Sequence, residues 1–437
     1  MATRIQRTQG TGTSTKKFTF SGWIKKTSNT TSNDQVVFES NNDANNRITV
    51  YFRGSTNNTF NIYGALSSST IINLETTRMF RDVSAWYHIV VAVDTTLGTA
   101  ADRIKIYVNG TQETAFNTST YPSQDANLPI GSSSYTNTVG YYLHGGSSAF
   151  EGCMSHLHFI DGTAYAASDF GSTDSTTGEW KINTSPSVTY GNNGFFWLKD
   201  SIATTDHSPN SNTFTVSTGT LTKTEDCPSN VFATYNGVFN ASGHTLSRGN
   251  TQATASGSSW VWRPSTLGAT TGKYYAEIRV SSAGGGTSIV GITNIDDCTG
   301  YAPSDTHFGK SAVNSGTLGF AWYSDDGKIY YPPNASTSVY GTWGASDILM
   351  LAMDLDNGAF YIGKNGSWLN SGNPASGGSK TGAVRTWTAG TGTWVFADAI
   401  ANGSVLQWNW GNGYFGQSNA VSSAGTNASG IGIFEYD

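Results

Sequence analysis

The side chains able to do chemistry here fall into three kinds, and each asks for a different setting. His156-x-His158 would place two imidazoles on one face of a strand, which is one way to begin a zinc site. Two ligands do not make a site, so ordinary strand histidines are the better reading and no metal is assigned. Asp296-Asp297 and Asp325-Asp326 raise glycan hydrolysis, which needs a pair of carboxylates flanking the scissile bond. Both pairs fall in turn-like sequence, where Asp is favoured for local hydrogen bonding, and no Glu-x-Asp-x-x-Glu strand pattern occurs. Nor does a Gly-x-Ser-x-Gly elbow precede a helix, so no catalytic residue is assigned. The third kind is aromatic: Tyr141 and Tyr142 with His144, then Tyr301, Tyr331 beside Tyr330, Tyr340 and Trp343, all in turn-rich stretches. Exposed rings stack on sugar faces while neighbouring amides and hydroxyls satisfy sugar hydroxyls, so these residues are the candidate carbohydrate- or receptor-binding set.

Such loops need strands to carry them, and the chain supplies strands throughout. Charged residues are 12% and aromatics 13% of 437 residues, so solubility rests on Asn, Ser, Thr and Gly, the composition of many short strands and turns. A net charge of -6 with isolated lysine pairs at Lys16-Lys17 and Lys25-Lys26 offers no stripe for a phosphate backbone, so nucleic acid is not an expected partner. No run approaches the roughly 18 apolar residues of a membrane span, and membrane insertion is not expected. Cys153, Cys227 and Cys298 have neither disulfide-framework nor metal spacing and are expected to be reduced, mostly buried thiols.

No long amphipathic helix pattern occurs, so the chain is expected to be all-β. Phe18 to Ile24, Ile48 to Phe52 and Thr59 to Tyr63 alternate as half-buried strands, and Trp86 to Asp94 reads as a buried one. Arg103 to Val108 turns at Asn109-Gly110, and Gly152 to Ile160 ends in Asp161-Gly162. Later, Lys273 to Val280, Ser288 to Ile292, Gly319 to Tyr330, Ile348 to Leu355 and Ala359 to Lys364 repeat the pattern, with turns at Asn357-Gly358 and Asn365-Gly366. Between them, Phe195-Phe196-Trp197-Leu198 is too apolar for a plain linker.

Phe18-x-Phe20-Ser21-x-Trp23, Trp86-Tyr87-His88, Ile106-Tyr107-Val108-Asn109-Gly110 and Phe150-Glu151-Gly152, in that order, resemble the laminin G-like, concanavalin-type jelly roll. Lys273-x-Tyr275-x-Glu277, Val290-Gly291-Ile292 and the hairpin from Asp354-x-Asp356 to Tyr361-x-x-Lys364-Asn365-Gly366 are similar to the SPRY domain, another concanavalin-like sandwich. The expectation is therefore two concanavalin-like antiparallel β-sandwich (jelly-roll) domains in tandem. The expected boundaries are an extension at 1–15, a laminin G-like domain at 16–170, an ordered connector at 171–235 able to add a strand to the first sandwich, an SPRY-like domain at 236–417 and a tail at 418–437. The tail's apolar end, Ile431 to Phe434, is expected to dock on a neighbour.

With Arg4-x-x-Arg7-Thr8 at the start and Gly191-x-x-Gly194-Phe195 and Asp206-x-Ser208 in the connector, the whole resembles phage structural and tail-fibre proteins of marine bacterial viruses. That resemblance implies a non-enzymatic virion protein on the outer surface of the particle, an appendage or fibre component, with a capsid decoration or spacer protein as the alternative and a polysaccharide depolymerase as a remoter one. It implies other virion proteins, self-association into a homo-oligomer and a host surface glycan as partners. Laminin G-like domains also hold Ca²⁺ in some cases, which would draw on Asp94, Asp125 or Asp161. No loop has dense Asp-x-Asp-x-Asp-Gly spacing, and no cofactor is assigned.

Overall fold

A computed structural model of the protein describes residues 3–29, 31–54, 57–144, 148–199, 204–239, 244–298, 308, 319–332, 335–413 and 432–436. The chain divides into two compact units, 1–223 with 227–231, and 224–226 with 232–437. Each is an antiparallel sandwich, and among the described residues each pairs an eight-stranded with a six-stranded sheet.

In the first unit the strands with the clearest alternation make the six-stranded sheet. Lys17–Lys26 lies between Gly152–Asp161 and Tyr87–Asp94, followed by Ile104–Val108 and Thr111–Gln112. Phe18, Phe20 and Ile24 face the core, where Phe20 stacks on Phe38 at 5.4 Å and Phe38 on Phe159 at 5.2 Å. The Asn109-Gly110 turn has positive φ at both residues, 47° and 80°, as a tight primed hairpin turn requires. In the eight-stranded sheet, Gln35–Asp43, Asn46–Phe52, Thr59–Leu66 and Ser69–Met79 are consecutive neighbours.

Three expected boundaries need correction. Residues 4–8 are no extension, because Arg4–Thr8 is a strand of the eight-stranded sheet between Thr136–Val139 and Thr215–Thr218. Its single apolar residue, Ile5, is enough to hold a short strand to the core, and one residue leaves no periodicity to read. The boundary at 170 gives way because the connector adds the strand that it was expected to be able to add. Phe195–Trp197 pairs with Gly152–Asp161, Phe195 and Trp197 enter the core and meet Phe214 at 4.7 and 5.0 Å, and residues 232–235 already belong to the second unit, where Tyr235 is buried. The tail's end, finally, docks on its own unit: Phe434 is buried 4.9 Å from Tyr275, and Glu435 and Tyr436 donate their backbone N–H groups to Glu277 at 2.8 and 2.7 Å. Residues 414–431 lie outside those described.

The second unit's eight-stranded sheet is centred on Lys273–Ser282, between Val405–Asn409 and Ile348–Asp354, and its six-stranded sheet on Trp394–Ile400 beside Ser288–Asn294. Asn365-Gly366 repeats the primed turn, with φ of 51° and 81°. Asp398 is fully buried, accepts from Trp408 Nε1 at 2.7 Å and from the Tyr235 hydroxyl, and is pushed up to about 7 by burial.

A chain ending at residue 170 should fail to unfold cooperatively in urea, whereas one ending at residue 231 should show a single transition by circular dichroism. In the whole chain, Trp197→Ala should cost the first unit about 3–5 kcal/mol. A stable product ending at 170 would contradict this division.

Candidate functional site

The outer face of the first unit's eight-stranded sheet collects polar and aromatic side chains in cross-strand rows. Thr138, Glu39, Thr49, Tyr63 and Asn73 are successive partners across five strands, and Asn41 and Arg47 form the next row. Alternation puts Phe38, Val50, Ile62 and Leu74 on the opposite, core face.

Residues 140–144 and 148–150 border this face. Gly140 accepts from Phe150 N at 2.9 Å, and Tyr142 N donates to Ser148 O at 3.2 Å. Leu143 N donates to Glu39 Oε2 at 3.1 Å, and the same carboxylate accepts from Asn41 Nδ2 at 3.0 Å and Thr49 Oγ1 at 3.3 Å. Burial raises Glu39 to about 7 against these bonds and the nearby Arg47 charge. The Arg47 guanidinium lies over two rings, 4.9 Å from the centroid of Tyr63 and 5.2 Å from that of Tyr142. His144 Nε2 contacts Asn41 Oδ1 at 3.1 Å, and Arg4 stands 5.7 Å over Tyr141.

The structure thus brings Tyr141, Tyr142 and His144 together on one sheet face, with Tyr141 and Tyr142 half-buried and His144 exposed. It adds Arg47, Glu39 and Tyr63, which the sequence reading did not single out. A charged residue placed outward beside Phe38 was the available signal for Glu39, and it needed the Gln35–Asp43 strand to be recognised first.

The second unit's candidates are not assembled in this way. Tyr331 is partly buried with the Arg385 guanidinium 3.6 Å over its ring, and Tyr340 packs half-buried against the core. Trp343 needs correction: it is 5% exposed and meets Trp322 edge-on at 6.0 Å, so its ring is core and not a loop platform. Its polar neighbours in sequence disguised an inward position. Tyr301 lies outside the described residues.

The histidine pair also departs from expectation. His156 has φ of 48°, and pairing with Lys17–Lys26 shifts register between Ser155 and His158, so simple alternation fails there. His158 stacks on Phe196 at 4.1 Å and meets the Tyr190 hydroxyl at 2.9 Å. His88 sits between Trp23 and Trp180, contacts Ser21 Oγ through Nε2 at 2.9 Å and accepts the Trp180 indole N–H at Nδ1, 3.0 Å away. An indole only donates, so His88 Nδ1 carries no proton and Nε2–H faces Ser21. Burial pushes His88 down to about 3 and His158 well below its usual range. Asp94 pairs with Lys17, Asp125 with Lys16, and Asp161 accepts the backbone N–H groups of Thr13, Ser14 and Asn193, so the three carboxylates considered for calcium serve separate contacts. Asp296 and Asp326 likewise accept backbone N–H groups, the first from Thr393 on a distant segment and the second from Lys328 in its own turn.

Residues 3–168 match the laminin G-type family model described as the concanavalin A-like lectin/glucanases superfamily. The first unit therefore carries a laminin G-like, concanavalin A-like jelly roll, and the second is likewise an antiparallel β-sandwich. Similar solved structures include the SPRY domain of human HERC1, 13% identical over 36% of this chain and 87% of that one, with a TM-score of 0.26. A human SPRY domain is 16% identical over 38% and 94%, with a TM-score of 0.27. A native heptameric SAP-like pentraxin from Limulus polyphemus is 18% identical over 38% and 72%, with a TM-score of 0.28. These likenesses carry no function to this chain. None of the curated proteins matches it.

Two outcomes follow from the geometry. Because His88 binds a proton more readily unfolded than folded, it supports stability above pH 6.5, and that support drains away as pH falls towards 3. The stability of wild type relative to His88→Gln should therefore fall by about 1.4 kcal/mol per pH unit across that window in urea titrations. Trp343→Ala should cost the second unit about 3–5 kcal/mol in the same assay, as a core truncation does.

Proposed function

We propose that this chain is a non-enzymatic bacteriophage virion protein, an outward-displayed appendage or tail-fibre component that holds a host surface saccharide on the outer face of its first sandwich. The observation that carries the binding part is the Tyr63–Arg47–Tyr142 stack, set in a face of Asn, Thr and Tyr side chains. Aromatic faces with amide and hydroxyl groups around them suit a sugar's alternating apolar and polar surfaces. The order of motifs from Arg4-x-x-Arg7-Thr8 through Asp206-x-Ser208 to the SPRY-like hairpin supports the virion part. Low charge and the absence of a paired-acid strand motif in the sequence support binding without turnover.

The test is a glycan array probed with the whole chain and with Tyr142→Ala, alongside immunogold labelling of phage particles. The expected result is labelled particle exteriors and a set of host-type glycans whose signal falls at least about tenfold in the variant, the scale of a lost stacking contact on a desolvated site. Labelled particles with no glycan signal would favour the decoration or spacer reading, and release of reducing ends from host polysaccharide would favour a depolymerase.

A further inference from the structure

The arginines of the first unit differ in what they hold. Arg103 donates to Leu97 O, Pro122 O and Gly98 O at 2.7–2.8 Å, Arg78 meets Glu113 at 2.7 Å, and Arg53 lies 3.5 Å from both Asp34 and Glu75. Each has its charge answered by oxygen atoms of the fold. The Arg47 guanidinium lies instead over two aromatic rings, those of Tyr63 and Tyr142. Among the described residues its side chain makes no hydrogen bond or ion pair. Glu39, the acid in the adjoining row, is occupied by Leu143 N, Asn41 Nδ2 and Thr49 Oγ1.

A guanidinium carries five N–H donors in its own plane and no acceptor. Contact with two aromatic rings restrains the half-buried group without using any of those donors. An oriented, partly desolvated cation with an unused fork is preorganised for a planar anion that takes two parallel N–H···O bonds, and carboxylate has that geometry. A sugar hydroxyl offers one oxygen and no charge, so it would leave most of the fork unanswered. The rings that orient the cation are anchored in turn: Tyr63 OH contacts Thr70 Oγ1 at 3.1 Å, and Tyr142 is followed by Leu143, whose N–H is pinned to Glu39.

We infer that Arg47, in cation–π contact with Tyr63 and Tyr142, is a carboxylate-reading subsite, and that the saccharide taken by this face is an acidic one containing uronic acid residues. The inference rests on the saccharide reading above and adds the class of sugar.

The test is calorimetric titration of the whole chain with oligogalacturonate, with the same oligomer after carboxyl reduction, and with a sulfated neutral oligosaccharide. Wild type should bind the oligogalacturonate about 10- to 100-fold more tightly than the reduced oligomer, the scale of hydrogen bonds to a charged group. Arg47→Gln should abolish that preference, and Arg47→Lys, which keeps charge but loses the fork, should retain part of it. Unchanged urea midpoints show that both variants fold. Equal affinity for acidic and reduced oligomers in wild type, tighter binding of the sulfated oligomer, or a preference that survives Arg47→Gln would overturn the inference and leave saccharide binding standing. No binding of any of the three would remove both.

Discussion

Buried carboxylates that accept backbone N–H groups hold this protein's irregular segments against its sheets. A strand satisfies its backbone through the ladder, but a segment crossing a sheet's outer face must find acceptors elsewhere or bury unpaired donors. Here the acceptor is repeatedly an acid. Asp161 takes the N–H groups of Thr13, Ser14 and Asn193, while Asp206 takes those of Phe196, Ser208 and Asn212. Glu39 takes Leu143, and Glu277 takes Glu435 and Tyr436. Each acid is buried, so losing its bond would strand a buried polar group.

The same device places the binding face. The Glu39 bond to Leu143 N, with the His144 contact to Asn41, ties residues 142–144 to the sheet, and Tyr142 and Tyr63 both lie close to Arg47. Asp161 and Asp206 do similar work in the connector, where Gly191 at φ of 67° passes so close to Asp161 O that a Cβ would sit 1.9 Å from it. A connector held in this manner belongs to its sandwich and contributes Phe195 and Trp197 to the core.

What the sequence made legible follows from this division. Strands rich in alternating apolar residues, such as Lys17–Lys26 and Ile348–Asp354, and turns at Asn109-Gly110 and Asn365-Gly366 announce themselves through side-chain period and backbone need. The all-β class and the laminin G-like jelly roll were readable on that basis. Arg4–Thr8, with one inward residue, and Gln35–Asp43, where a bulge breaks alternation between Val36 and Phe38, were not. Trp343 looked like a loop ring because burial is decided by the facing sheet and not by its neighbours in sequence. Tyr142 and His144 stood out by residue type in a turn-rich stretch, whereas Arg47 and Glu39 acquire their neighbours from register across strands. Even Lys25 and Lys26, which look like an ordinary charged pair, are both about 1% exposed or less, with Lys26 Nζ on Asn58 Oδ1 at 2.9 Å.

Amide hydrogen exchange on the whole chain tests the pinning most directly, read at Leu143, Asn193, Asn212, Glu435 and Tyr436. These amides should open with free energies within about 2 kcal/mol of ladder amides such as Val91 and Ile278, because each is bonded to a buried acid. Exchange at the rate of an unprotected loop would mean that the carboxylates do not hold the crossing segments, and the fixed geometry around Arg47 would lose its foundation.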